Sequence, residues 1–199
     1  MLKIKREKGI IFCCSGPSGV GKDTLIAEVR KKYPELVHSI SLTTRQPRPG
    51  EVPGQDYHFC EKEEFERLIE SGEIIEYDVF CDNYYGTLAQ VLREAEAGGT
   101  DIFLDITVAG SLRLKELFPD AVLIFILPPS QETLIERLKA RRTEAESVIN
   151  SRVEKAKEEV KNAAAFDYVV VNDTIKDAVS CLEAIVLAER SRSGRFLFN

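Results

Sequence analysis

Apolar residues recur along this chain in two rhythms. Short unbroken apolar runs occur around Ile10–Cys14, Ile102–Leu104, Ala121–Leu127 and Tyr168–Val171. They suit strands buried on both faces of a parallel sheet. Between them lie longer stretches in which apolar positions return every three or four residues, the mark of amphipathic helices. The alternation predicts an α/β fold.

Taken in order, the first run leads into a helix from about Leu25 that ends near Tyr33-Pro34, since proline disfavours helical geometry in the residue before it. A strand from about Val37 to Ser41 follows. Residues 43–59 carry three prolines and two glycines, which marks an ordered loop. The pattern then predicts a helix over 61–71, a strand over 73–80, a hairpin-like segment over 81–87 and a helix over 88–97. Strand and helix alternate again: strand 101–105, helix 108–118, strand 121–127, helix 130–141, a charged helix over 144–164, strand 166–172 and helix 174–188. The basic start, Met1 to Lys8, reads as a short disordered lead-in, and Phe196 and Phe198 in the tail either dock or stay mobile.

At 199 residues the chain suits one folding unit with subdomains. A net charge of −6 argues against a general nucleic-acid or anionic-membrane binder, so any phosphate affinity must come from local cation clusters. Five scattered cysteines without a CxxC pair suit reduced packing thiols, and no apolar run is long enough to span a membrane. The start is too polar for a secretory signal, so a cytoplasmic location is expected.

The most informative stretch joins the first strand to the first helix: Gly16-Pro17-Ser18-Gly19-Val20-Gly21-Lys22-Asp23-Thr24. Glycines let the backbone approach an anion, successive N–H groups wrap it, and the helix presents its positive end. Lys22 would reach the β- and γ-phosphates of a nucleotide. The strict motif has Ser or Thr directly after the lysine. Asp23 stands there instead, and Thr24 is the nearest hydroxyl for magnesium.

Arg45 and Arg48, three apart on the proline-rich loop, form either an anion clamp or a solvated pair. Asp105, at the carboxyl end of its strand, either holds magnesium or caps the next helix. Arg137 and Arg141 share a helix face, with Arg142 and Arg152 nearby. That face either closes over nucleotide phosphates or is a solvated surface laced with glutamates. Asn172 either meets an adenine edge or starts the turn into the last helix.

Taken together, these blocks resemble the guanylate kinases, nucleoside monophosphate kinases of the phosphate-loop class. Residues 16–22 carry the likeness, with Ser41-Leu42-Thr43-Thr44-Arg45-Gln46-Pro47-Arg48, Gly50-Glu51, Gly54-Gln55-Asp56-Tyr57, Tyr84-Tyr85-Gly86-Thr87, Pro128-Pro129-Ser130 and Val171-Asn172-Asp173. The resemblance implies a parallel five-stranded core sheet flanked by helices (CORE, 1–41, 96–136 and 166–199), an inserted mixed α/β GMP-binding lobe (42–95) and a helical LID (137–165). It implies transfer of a phosphoryl group from ATP, with Mg2+, to GMP and dGMP, without nucleic acid, membrane or an obligate protein partner.

By the same resemblance, Ser41, Arg45, Arg48, Glu51, Tyr57, Glu76, Tyr85 and Thr87 surround GMP. Lys22, Arg45, Arg137, Arg141 and Arg152 serve the transferring phosphoryl group, Asn172 lies near adenine, and Thr24 and Asp105 are candidates for magnesium. Two positions depart from the family pattern. Asp105-Ile106-Thr107 has threonine where a second acid is usual near the guanine amino group, and Asp23 replaces Ser or Gly. Thr107 is an additional candidate GMP contact. Two other readings are a kinase of a ribose bisphosphate-like acceptor, disfavoured by Ser41, Glu76 and Tyr85, and a phosphopeptide-binding module, disfavoured by Lys22.

Overall fold

The computed structural model describes residues 4–80, 82–140 and 146–198. Cys81, Arg141, Arg142 and the expected start of the charged helix at 144 lie outside them.

Among the described residues the strands are β1 (Ile4–Arg6), β2 (Ile11–Ser15), β3 (Val37–His38), β4 (Leu42–Thr43), β5 (His58–Phe59), β6 (Ile74–Phe80), β7 (Asn83–Leu88), β8 (Ile102–Asp105), β9 (Val122–Leu127), β10 (Tyr168–Val171) and β11 (Phe196–Phe198). The helices are α1 (Lys22–Lys32), α2 (Lys62–Glu70), α3 (Ala89–Ala97), α4 (Val108–Leu117), α5 (Gln131–Ala140), α6 (Glu146–Val160) and α7 (Ile175–Arg190).

Five strands form a sheet in the order β10-β9-β2-β8-β3, with every pairing parallel. The strand preceding the glycine loop is therefore central. Alternation along β2 divides its residues between two cores. Phe12 and Cys14 join Leu25, Ile26 and Val29 of α1 and Leu182 and Val186 of α7. Ile11 and Cys13 join Leu92 of α3 and Leu114 of α4 on the opposite face. Burial drives the Cys13 thiol up to about 12 and the Cys14 thiol well above its ordinary value, so both are inert packing groups.

A second sheet, β5-β4-β7-β6, joins β4 to β5 in parallel and β4 to β7 and β7 to β6 antiparallel. Its own apolar cluster is Leu42, Phe65 and Ile74. The two sheets share their boundary, because Ile75 of β6 packs with the large sheet's core while Ile74 packs in the lobe. Helix α3 buries Ala89 and Leu92 against the large sheet, so the sequence boundary at 95/96 runs through a helix that packs with the core.

The expected strand over 37–41 is shorter, ending at His38, and a separate short strand begins just beyond it at Leu42. Val37 and His38 pair with β8, the chain crosses over, and Leu42 and Thr43 pair with β5 and β7. The expected hairpin over 81–87 is largely strand, because Tyr84 and Tyr85 pair with Val79 and Asp78 and their backbone groups enter the ladder. The disordered lead-in expected at the N-terminus is also corrected: β1 pairs antiparallel with β11, aligning Lys5 with Leu197. Both phenylalanine positions of the tail are thereby in a strand, an arrangement of residues too distant in sequence for local pattern to show.

Candidate active site

The glycine loop leaves the centre of the large sheet and enters α1. Gly16, Gly19 and Gly21 have φ of 142°, 86° and 96°, a region that L side chains rarely adopt. At Gly16 a Cβ would stand 2.3 Å from the Ile126 carbonyl oxygen of β9, so the loop rests directly on the neighbouring strand. Pro17 is buried and Ser18 is exposed, while Val20 is fully buried in the α1/α7 core and anchors the loop. Ser15 at the end of β2 donates to the Ile106 carbonyl at 2.9 Å and ties β2 to the chain beyond β8.

Lys22 Nζ donates to the Gly16 carbonyl at 3.0 Å and lies 3.6 Å from Asp105 Oδ1. Strand register produces this meeting: Cys14 of β2 aligns with Asp105 of β8, so the acid reaches the foot of the loop. Burial raises the Asp105 carboxyl to about 8, against the lowering effect of Lys22 and with a further upward push from Asp23. Asp23 and Thr24 are exposed in the first turn of α1. No group of three or more His, Cys, Asp or Glu side chains suited to a metal occurs among the described residues.

Asn172 is buried and donates through Nδ2 to the Val20 carbonyl at 2.7 Å; its Oδ1 is buried without a partner among the described residues. Its side chain therefore supports the loop from the end of β10. Arg137 of α5 donates to the carbonyls of Val20 (3.4 Å), Asn172 (3.0 Å) and Asp173 (3.4 Å), so its guanidinium bridges the loop and the last strand. Helix α5 also reaches the loop through Leu138, whose Cδ2 would be 2.8 Å from a Cβ on Gly19. Leu134 and Leu138 pack on Val153 and Ala156 of α6, the helix that carries half-buried Arg152. Arg141 falls outside the described residues.

The second group of candidates lies in the smaller sheet and its loop. Arg45 makes two hydrogen bonds to Glu51, Nη1 to Oε2 at 3.0 Å and Nη2 to Oε1 at 2.8 Å. Glu51 Oε2 also accepts from the backbone N–H of Arg48 at 2.7 Å. These bonds hold the Glu51 carboxyl below its usual range. The Arg45 guanidinium lies 5.2 Å from the Tyr57 ring centroid and 5.8 Å from that of Phe59. Tyr85 packs edge-on against Tyr57. Glu51 thus orients Arg45, and the Arg48 side chain is left exposed.

Ser41 is half-buried where the chain passes between the sheets, and Thr87 is buried on β7. Glu76 falls within a register irregularity between Ile74 and Tyr77, and bulges of this kind re-aim side chains. It reaches the first turn of α4, where its Oε2 accepts from Thr107 Oγ1 at 2.8 Å and from Thr107 N at 3.2 Å. Burial raises the Glu76 carboxyl, the Thr107 bonds oppose that, and Asp78 adds to it.

Three residues that support these contacts carry no signal in the sequence: Phe59 reads as the end of a loop, Ser15 as a strand end, and Gly110, where a Cβ would stand 2.6 Å from Glu76 Cγ, as a glycine inside a helical pattern.

Comparison with known proteins agrees with this geometry. The guanylate kinase family model matches residues 7–189. A guanylate kinase of Desulfitobacterium hafniense is 43% identical over 192 residues, covering 96% of each chain. One from Chlorobium luteolum is 47% identical over 181 residues, covering 90% of each. The crystal structure of guanylate kinase from Anaplasma phagocytophilum superposes with a TM-score of 0.71 at 33% identity, covering 99% of this chain and 93% of that one. With the loop, the parallel sheet and the inserted lobe in place, the chain belongs to the guanylate kinase family.

Proposed function

We propose that the protein transfers the terminal phosphoryl group of ATP to GMP, and to dGMP, forming ADP and the corresponding diphosphate. The observation that carries this reading is the pairing of two built sites on one chain. The glycine loop with Lys22 stands at the end of the central strand, and a lobe of different hydrogen-bonding character, with Arg45 and Glu76, is inserted beside it.

The nucleophile is a phosphate oxygen of GMP, already anionic at neutral pH, so the reaction needs no strong general base. Charge neutralisation, alignment and exclusion of water are the remaining tasks. Lys22 serves the donor phosphates. Arg45, stiffened by Glu51 and the aromatic floor, serves the acceptor phosphate with Arg48, Tyr57 and Tyr85. Arg137 and Arg152, with Arg141, come from the LID, residues 137–165. For Arg137 this role requires exchanging its loop and strand carbonyls for phosphate oxygens as the LID closes over the CORE.

Glu76 reads the base. Guanine presents N1–H and an amino group on one edge, which a carboxylate accepts together, while Ser41 donates to O6. Adenine would set the lone pair of N1 against that carboxylate. Among the described residues only Oε2 of Glu76 is engaged by the protein, which leaves Oε1 for the base.

The donor set around the loop fits magnesium. Asp105, Asp23 and Thr24 offer hard oxygen atoms of the kind magnesium takes. When bound, magnesium would neutralise phosphate charge. No helix among the described residues is long and apolar enough to cross a membrane.

The test is ADP formation with ATP and magnesium in the presence of GMP, dGMP, AMP, UMP or a ribose bisphosphate in turn. Turnover with GMP and dGMP is expected. A folded protein that turns over none of them, or prefers the ribose bisphosphate, overturns the proposal.

A further inference from the structure

Thr107, one of the two positions that depart from the family pattern, makes contacts that give it a task other than touching the base. Its Oγ1 accepts from the backbone N–H of Gly110 at 3.0 Å, capping α4. The same oxygen donates its hydrogen to Glu76 Oε2 at 2.8 Å, and the Thr107 backbone N–H reaches that carboxylate oxygen at 3.2 Å. The hydroxyl proton is therefore spent on Glu76, and a hydroxyl has only one. An acid at this position would have no such proton at neutral pH and would place like charge beside Glu76.

Gly110 completes the arrangement. A Cβ there would stand 2.6 Å from Glu76 Cγ, 2.8 Å from its Cβ and 2.9 Å from its Oε2. Contacts below 3.0 Å force something to move, and here the side chain in the way is the carboxylate itself. The bulge in β6 sends Glu76 toward α4, Gly110 leaves room for it, and Thr107 holds one oxygen.

We propose that Thr107 and Gly110 are positioning residues for base recognition: they hold the Glu76 carboxylate by one oxygen against the start of α4, presenting the other to guanine. This rests on GMP as the acceptor. Base selection is then the work of one immobilised carboxylate in place of two acids. The bond to a charged acceptor belongs to the stronger class of hydrogen bonds and restricts a side chain that has three rotatable bonds.

The test uses the full chain and the variants Thr107→Val, Thr107→Ser, Gly110→Ala, Glu76→Ala and the Thr107→Val/Glu76→Ala pair. With Thr107→Val, KM for GMP is expected to rise about tenfold while kcat and KM for ATP stay within about twofold, the pattern of lost acceptor binding. Thr107→Ser keeps the hydroxyl and should stay within about threefold of the parent. Gly110→Ala should raise KM for GMP in the same way. Added to Glu76→Ala, Thr107→Val should change KM for GMP by less than about twofold, because it acts through the missing carboxylate.

A substrate-free readout separates this proposal from the choice of acceptor. The carboxyl of Glu76, followed by carbon NMR without ligand, should titrate at higher pH in Thr107→Val, since a hydrogen bond to its charged form has been removed while Asp78 remains beside it. Loss of the α4 cap should lower the melting temperature equally in both Glu76 backgrounds. An unchanged Glu76 titration, or a Thr107→Val effect of full size without Glu76, overturns the positioning role. A parent enzyme that ignores GMP while Glu76 still shifts on Thr107→Val overturns the acceptor reading alone.

Discussion

Arg45 and Glu51 meet through two parallel hydrogen bonds, of 3.0 and 2.8 Å, in a loop that has little regular structure of its own. A guanidinium docked in this way on a carboxylate has lost most of its rotational freedom before a phosphate arrives. Glu51 thereby fixes the guanidinium that is proposed to hold the GMP phosphate.

Glu51→Ala is expected to raise KM for GMP by about tenfold or more, with KM for ATP close to the parent value. Steady-state kinetics with each substrate varied separately would check this. A parallel rise in both KM values would show that the pair only holds the loop together.

Glu76 carries a pH signature. Its carboxyl is raised by burial, so on acidification it gains a proton at higher pH than an ordinary glutamate. The protonated form is neutral and a weaker acceptor for the N1–H and amino group of guanine, so kcat/KM for GMP should begin to fall above the ordinary carboxylate range. The stability sign is opposite: with the folded pKa above the unfolded one, its contribution favours the folded state at low pH and is lost as pH rises through the folded pKa. Glu76→Gln should abolish this limb of the profile and lower kcat/KM for GMP on the order of a hundredfold, with a much smaller change in KM for ATP.

Asn172 supports the phosphate loop through the Val20 carbonyl. Asn172→Ala removes the shorter of that carbonyl's two side-chain hydrogen bonds and leaves Arg137 at 3.4 Å, at a cost of about 1 kcal/mol. For a chain of this size each kcal/mol lowers the melting temperature by about 2–4 °C. ATP affinity should fall with it, because the loop loses a support close to Gly21 and Arg137. Calorimetry and ATP titration would check both.

Asp101 offers a control away from the site. It is buried, accepts from the Ile10 N–H at 2.9 Å, and pairs with Arg6 at 2.7 Å and Arg190 at 2.8 Å. Asp101→Asn should destabilise the protein by about 1–3 kcal/mol by weakening the match to both arginines, of which Arg190 keeps Glu35 at 2.9 Å. Denaturant unfolding would show this loss, with kcat per folded molecule unchanged.

Much of this protein is written locally. Glycines at 16, 19 and 21 followed by Lys22 declare a phosphate loop, because only glycine readily adopts the left-handed backbone that the loop uses. The apolar runs feeding β2, β8, β9 and β10 declare a parallel sheet, because strands covered on both faces have no polar face to alternate with. Likeness to the family also singles out Arg45, Glu51 and Glu76.

Tertiary structure decided what those residues do to one another. Register brought Asp105 beside Lys22, long-range pairing made a strand of the tail, and α5 laid Arg137 across three carbonyls. The meeting of Glu76 with Thr107 required a bulge in β6, a helix start and a glycine with no side chain to interfere, from segments over thirty residues apart. Sequence by itself determined the local backbone and the chemical types, because these follow from steric freedom and periodic burial. Orientation across segments was decided only by packing, because a hydrogen bond between distant residues leaves no mark on the pattern of either.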